Sequence, residues 1–393
     1  MALTIMIGFA DAFSAIEVAW SLQSAGFSVV ALNRSGTRPA LRHVRGVRLI
    51  EVTRPEHSAA RCLDDITTAV ESIGPAAMMP LDDASLWLFS RVDAGESVLV
   101  GPDRNGADWA LNKAAQLRTA SAHGLAVPDT LVITAASQLD TLDLPCIVKP
   151  SAAVELVDDH LVRPTGRVCG DRSEVDRART SLSGYPLLAQ PIKTGVGEGV
   201  FGYVGPEGPT AWSAHRRVRM VNPQGSASSA CESADPDPAL LNSVSAMMAA
   251  LGWRGQFMAE FLRDVDGTPW FMEVNGRAWG SMALSRRRGY EYPAWTVQQA
   301  LGLPIRPSVP VDAPHVRCRH VGREILHAAF VWRGPQSQAL DHWPKRGATI
   351  RGLLTVQRRD RVYNWNRRQP HVLLADTWQA LSSQARGRKR AVR

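Results

Sequence analysis

Two apolar runs flank Asp266-Gly267 in QFMAEFLRDVDGTPWFMEVNGRAWGS, residues 256–281. Asp-Gly between such runs is a strong hairpin signal and predicts two antiparallel strands. With Asp266 and Gly267 as the turn, Val265 faces Thr268 and, counting outward, Glu260 faces Glu273. That register constrains the fold. Opposed side chains lie about 4.5–5.5 Å apart at Cβ, where like charges destabilise the pair. The repulsion is relieved if one carboxyl is protonated, if an arginine bridges the two, or if a cation lies between them. Strand side chains alternate faces, so Glu273, Asn275 and Arg277 point one way, and Met272 and Val274 point into a core. Carboxylate and amide oxygens suit a hard cation such as Mg²⁺, which also keeps phosphate oxygens. Arg277, one step further along, suits a phosphate. The plainer alternative is a solvated hairpin with a surface Glu–Arg pair.

Upstream, strand-like and helix-like segments alternate. LTIMIGFA (3–10), FSVVALNR (27–34), VRLIEV (47–52), AAMMPL (76–81) and SVLVGP (97–102) read as strands, with helices near 12–26, 60–73 and 84–92. The alternation predicts a parallel α/β sheet over residues 1–105. Its first turn, GFADAFS, is not GxGxxG, so a dinucleotide fingerprint is absent. Ligands of open α/β sheets gather at the carboxyl ends of strands. Asp82 and Asp83 follow MMPL at such an end and are candidates for substrate contact, or for helix capping.

A helix over 106–125 carrying Lys113 comes next, then a second α/β unit. LPCIVKPS (144–151) is a strand with Lys149 near its end, and PLLAQPIKTGVGEGVFGYVG (186–205) reads as two strands around a Gly-rich turn. AWSAHRRVRMV (211–221) places His215, Arg217 and Arg219 on one strand face; substrate or phosphate binding and a solvated basic strand are both open. NPQGSASSACESADPDP (222–238) has no apolar period and reads as a mobile loop.

Charge is uneven along the chain. From Val331 onward there are 14 Lys+Arg against 3 Asp, or +11 of a net +8, so the preceding 330 residues carry −3. The closing ARGRKRAVR lacks an apolar pattern and is expected to fray. No recognition motif accompanies it, so nucleic acid is not an expected partner. No run of 18 apolar residues predicts a membrane span, and MALTIMIGFADAF reads as a first strand, not a signal peptide. Five scattered cysteines without CxxC or Cys/His spacing point to reduced thiols in a cytoplasm. Lysine is scarce, five against 40 Arg, which draws attention to Lys113 and Lys149 as compact charges suited to phosphate.

The ordered set ALNKAAQ, GLAVPDT, CIVKPS, LLAQPIKTGVGEGVFGYV, HRRVRMVNPQGSASSACES, GWRGQFMAEF and FMEVNGRAWGS resembles the ATP-grasp superfamily. It is most similar to the carbamoyl-phosphate-synthase-like branch of carboxylate–amine ligases, over roughly residues 1–310. The resemblance implies an α/β chain, α+β in its ATP-grasp part: a Rossmann-like domain at 1–105, ATP-grasp subdomains at 106–190 and 191–310, and a basic C-terminal extension at 311–393. It implies that Lys113 and Lys149 contact the nucleotide, with Gln190 and Ile192 at the adenine hinge. Glu260, Glu273 and Asn275 match the metal ligands, and Arg277 the arginine aimed at the transferred phosphoryl group. Arg217 and Arg219 would act beside it and His215 with Asp82 and Asp83 would hold substrate. The implied cofactors are ATP and Mg²⁺, with Mn²⁺ an alternative ion. The implied reaction joins a small-molecule carboxylate to an amine (or a thiol) through an acyl phosphate; a homodimer is compatible with it. A nucleotide-binding module without catalysis is the competing function. Two departures stand out. Where the family has an early Gly-rich phosphate loop, this chain has SAAVELVDDHLVRPTGRVCG, and Pro191 replaces a common acid.

Overall fold

In the computed structural model, which describes residues 2–305, 312–335, 337–340 and 342–391, the first hundred residues form a parallel sheet. Its strands are β1 (Thr4–Gly8), β2 (Ser28–Arg34), β3 (Val47–Val52), β4 (Ala77–Pro80) and β5 (Val98–Leu99), in the order β3-β2-β1-β4-β5. Both faces are covered, which explains the near-continuous apolar runs. Ile5 and Ile7 feed one core and Met6 the other. The helices here are α1 (Ala15–Ser24), α2 (Ala59–Ile73) and α3 (Asp83–Phe89).

The expected helix over 106–125 is two helices, α4 (Arg104–Leu111) and α5 (Lys113–Ala122). Asn112 breaks them: its Oδ1 accepts Ala115 N at 3.0 Å and caps α5, which makes Lys113 the first residue of that helix.

A four-stranded antiparallel sheet follows, built from β6 (Leu131–Ile133), β7 (Cys146–Pro150), β10 (Arg167–Cys169) and β11 (Leu187–Pro191), ordered β10-β7-β11-β6 and backed by α6 (Arg172–Ser181). Between β7 and β10 the segment without early glycines forms a separate hairpin of β8 (Glu155–Val157) and β9 (His160–Val162). The third sheet is seven-stranded. It contains β12 (Val196–Gly205), β13 (Gly208–Met220), β14 (Ser228–Ala234), β15 (Gly255–Arg263), β16 (Pro269–Asn275), β17 (Arg317–Arg319) and β18 (Asp360–Val362), ordered β16-β15-β12-β13-β14-β17-β18. Helices α7 (Pro238–Ala250), α8 (Met282–Arg287), α9 (Tyr292–Ala300), α10 (Val321–Arg333), α11 (Arg346–Leu354) and α12 (Pro370–Ala391) complete the chain.

Four expectations change. Residues 228–234 are strand β14, because small polar side chains suffice on a central strand whose backbone pairs with β13 and β17; only about 221–227 is a turn. The glycines of GVGEG lie largely within β12, not in a turn. A Cβ on Gly197 would lie 2.6 Å from Arg217 Cδ, and one on Gly199 2.7 Å from His215 Nε2, so these glycines make room for the basic side chains of β13. The segment after 311 is no appendage, since β17 and β18 extend the main sheet. The final basic residues continue α12 to Ala391. The expected boundary at 310/311 lies outside the described residues.

Gly199→Ala should overpack this contact and destabilise the protein by roughly 1–3 kcal/mol, measured by urea unfolding. Wild-type stability in that variant would mean the His215 ring is free to move.

Candidate active site

Glu260 and Glu273 do stand opposite each other, although the hairpin reaches that register differently. The loop spans Asp264–Thr268. The Asp264 carboxylate accepts the backbone N–H of Asp266 and Thr268, and Gly267 takes φ +85°. The strands then pair Phe261 with Phe271 but Glu260 with Glu273, so Met272 is an extra, bulged residue. The bulge turns Met272 away from the expected core position and onto the wall of a cavity.

That cavity, of about 1500 Å³, lies where the three sheets meet. Glu260, Glu273, Asn275, Arg277, Arg217, Arg219, Lys149, Ile192 and Asp82 all line it. β16 is an edge strand, and its outward backbone at Val274 is held by buried Gln116 of α5, which accepts Val274 N at 2.6 Å and donates to Val274 O at 3.2 Å. The strand carrying Glu273 and Asn275 is thereby fixed along its outer edge.

The charges are paired one by one. Glu260 takes Arg217 and also accepts Asn275 Nδ2 at 3.0 Å. Glu273 faces Lys113 Nζ at 3.3 Å. Burial, with Glu273 nearby, pushes the Glu260 carboxyl up despite Arg217. Lys113 instead draws the Glu273 carboxyl down against its own burial. Lys149 is pushed down to about 8, first by burial and then by Lys113, with Glu273 opposing. Arg277 reaches back to the parallel sheet, with Nε 3.0 Å from Asp83 Oδ1. Burial raises the Asp83 carboxyl, but Arg277 and then Arg163 outweigh it and hold it at about 2. Of the two roles open to Asp82 the structure shows the cap, its Oδ1 accepting Ser85 N at 2.8 Å, while its Oδ2 accepts Arg34 at 2.7 Å.

Other expected residues sit elsewhere. His215 lies on the predicted face but is 2 % exposed, edge-on to Phe201 at 4.9 Å between centroids. Burial and then Arg217 push it down to about 3, so it is a neutral packed ring and not a substrate contact. Gln190 is buried and donates to Thr130 Oγ1 at 2.7 Å. Lys113 and Asp83 stand behind the wall, steadying Glu273 and Arg277. Arg219 is neutralised by Glu324 of α10, whose other oxygen accepts Arg319 Nε at 2.9 Å.

Sequence reasoning missed the far wall, formed by His327, His342, Lys345, Thr349 and Gly352. Nothing local in those residues announces it. It also missed Arg34, buried under Phe9 at 3.8 Å and paired with Asp11, Asp82 and Glu56; its place at the end of β2 was the available signal.

The donor set fits a divalent cation of the Mg²⁺ kind. Two opposed carboxylates and an amide share one face, offset by two separate cations and not by one bridge.

No family model matches the chain, and no curated protein sequence matches it. Solved structures do. An L-amino acid ligase from Bacillus licheniformis superposes with a TM-score of 0.61 at 18% identity, covering 78% of this chain and 75% of that one. The biotin carboxylase domain of Hydrogenobacter thermophilus 2-oxoglutarate carboxylase, in complex with MgADP, ADP and bicarbonate, gives 0.61 at 14%, with 78% and 71% covered. The N5-carboxyaminoimidazole synthetase of Staphylococcus aureus, complexed with ADP, gives 0.57 at 13%, with 78% and 80% covered. The chain has the ATP-grasp fold that these ligases and carboxylases share.

Proposed function

We propose that this protein is an ATP-dependent ligase that joins a small-molecule carboxylate to an amine. The observation that supports this most is the placing of Glu273 and Asn275 on β16, with Arg277 two residues beyond its end, on one cavity with Glu260 and Lys149. The likeness to an L-amino acid ligase supports an amino acid as one substrate. The domain division at 105 and 190 belongs to the same reading, with β17 and β18 counted in the second subdomain whose sheet they extend.

In the proposed reaction a substrate carboxylate oxygen attacks the γ-phosphorus of ATP. The bond to the bridging oxygen breaks, ADP leaves, and an acyl phosphate remains. An amine nitrogen then attacks the acyl carbon, gives up a proton and expels inorganic phosphate. Such chemistry asks the protein mainly to position groups and offset charge. Lys149 binds phosphate while protonated, and Lys113 holds Glu273 in place. Arg277, released from Asp83, faces charge developing on the moving phosphoryl group. Arg217 plays the corresponding part beside Glu260. The turn at 221–227 brings Gln224 and Ser226 to the cavity wall, where they help exclude water from an acyl phosphate. Glu260, Glu273 and Asn275 would hold Mg²⁺, or Mn²⁺; the ion's contribution is to neutralise phosphate charge.

The non-catalytic alternative is favoured by one feature, the replacement of a Gly-rich loop by the β8–β9 hairpin. A thermal-shift titration separates the two. The ligase reading expects stabilisation by ATP that needs Mg²⁺, about 2.7 kcal/mol at one hundred times Kd. Stabilisation indifferent to Mg²⁺ favours the binding module.

Glu273→Gln should lower ATP-dependent phosphate release by roughly 100-fold or more while the melting temperature stays within a few degrees. Retained turnover with an amino acid and amine pair would end the metal assignment.

Lys149 supplies a pH test. With its ammonium depressed to about 8, the free site is charged below that pH and largely neutral above it. Bound phosphate favours the charged form, so nucleotide binding should take up a proton near pH 8.5 and almost none near pH 6.5. Calorimetry in buffers of differing ionisation enthalpy reads this directly, and Lys149→Met should abolish the uptake.

A further inference from the structure

The β8–β9 hairpin is fastened to the N-terminal sheet domain. Its turn residues Asp158 and Asp159 take φ of 46° and 65°, the left-handed pair that a tight hairpin requires. Asp159 then meets the start of α2: its carbonyl accepts Ala59 N at 2.7 Å and its Oδ1 accepts Ala60 N at 2.8 Å. Leu161, which is buried, donates its N–H to Pro55 O at 2.8 Å. Orphan N–H groups at a helix start are satisfied by this contact, so the hairpin has a fixed seat.

None of residues 155–162 lines the cavity, so the seated hairpin does not present its amides to phosphates there as a glycine-rich loop can. It does place a long side chain. Arg163 follows β9 directly, lines the same cavity as Lys149 and Arg277, and is 70% exposed. Its NH2 lies 3.2 Å from Asp83 Oδ2, while Arg277 NH2 lies 2.9 Å from Asp83 Oδ1. One carboxylate thus answers two guanidinium groups, leaving one positive charge in excess at the cavity wall.

Resting on the nucleotide reading above, we propose that Arg163 grips the terminal phosphate of the bound nucleotide in place of loop backbone N–H groups, with Asp83 as its counter-ion in the empty site. A guanidinium offers a planar fork that matches phosphate oxygens, and its stem bridges the gap that the seated hairpin cannot close. Release from Asp83 would free Arg163 and Arg277 together, coupling arrival of the phosphate to readiness of the second arginine.

The test is calorimetric titration of the full-length protein with the β,γ-imido analogue of ATP, with ADP and with AMP, all with Mg²⁺, for wild type, Arg163→Ala and Arg163→Lys. Arg163→Ala should weaken the triphosphate roughly 10- to 100-fold, the range for a hydrogen bond to a charged group. It should weaken ADP less and leave AMP unchanged, and Arg163→Lys should recover part of the loss. If Arg163→Ala keeps the wild-type ratio among the three nucleotides, or weakens all three alike, Arg163 only anchors Asp83 and the proposal is overturned while the ligase reading stands. If wild type binds none of them, both fall.

Discussion

Much of this structure follows from setting Glu260 directly against Glu273. Two full charges about 5 Å apart repel by about 3 kcal/mol at an effective dielectric near 20. The fold answers with separate cations from separate elements: Arg217 from β13 on one carboxylate and Lys113 from α5 on the other. Each answer has structural consequences. Arg217 needs space above β12, and Gly197 supplies it. Lys113 needs a helix that begins at that point, and Asn112 caps one there. The arrangement neutralises each carboxylate from outside and leaves the space between them to a ligand.

The arginines repeat this pattern. Arg217 lies on Glu260, Arg219 on Glu324, and Arg277 with Arg163 on Asp83. A cationic cavity without such partners would carry a large self-repulsion in the empty protein. Carboxylate partners hold the guanidinium groups in place and offset their charge. Asp83 has a further part, because it begins α3 of the parallel sheet domain while Arg277 follows the end of β16 of the seven-stranded sheet. Its ion pair is a joint between the two as well as a charge balance.

The parts of the fold legible in sequence were those set by local pattern. Parallel strands announced themselves as apolar runs, and the facing of Glu260 and Glu273 could be counted from an Asp-Gly turn. The count succeeded through two compensating differences: a wider loop organised by Asp264 and a bulge at Met272. What stayed hidden was set by distant partners. SSACESA looks like loop because strand propensity weighs side chains, whereas β14 is held by its backbone between two neighbours. His215 shared a face with Arg217, but periodicity gives a direction and not a depth; Phe201 and Gly199 decide that it is buried. Gln116 was visible only as part of a resemblance, and its clamp on Val274 depends on a contact 158 residues away.

The basic C-terminal residues change meaning in the same way. Read as a segment, +11 over 63 residues suggests a tail looking for an anionic partner. In the fold, part of that charge is spent within the protein: Arg359 pairs with Glu232 on β14 at 2.8 Å. Just upstream of that stretch, Arg317 and Arg319 of β17 engage Asp360 and Glu324. Glu324 in turn neutralises Arg219 on the cavity wall, and α11 contributes Thr349 and Gly352 to the same wall. The C-terminal segment is therefore part of the pocket wall. It brings His342 and Lys345 into a wall whose residues from the parallel sheet domain include Asp11, Glu56 and Asp82, gathered around Arg34.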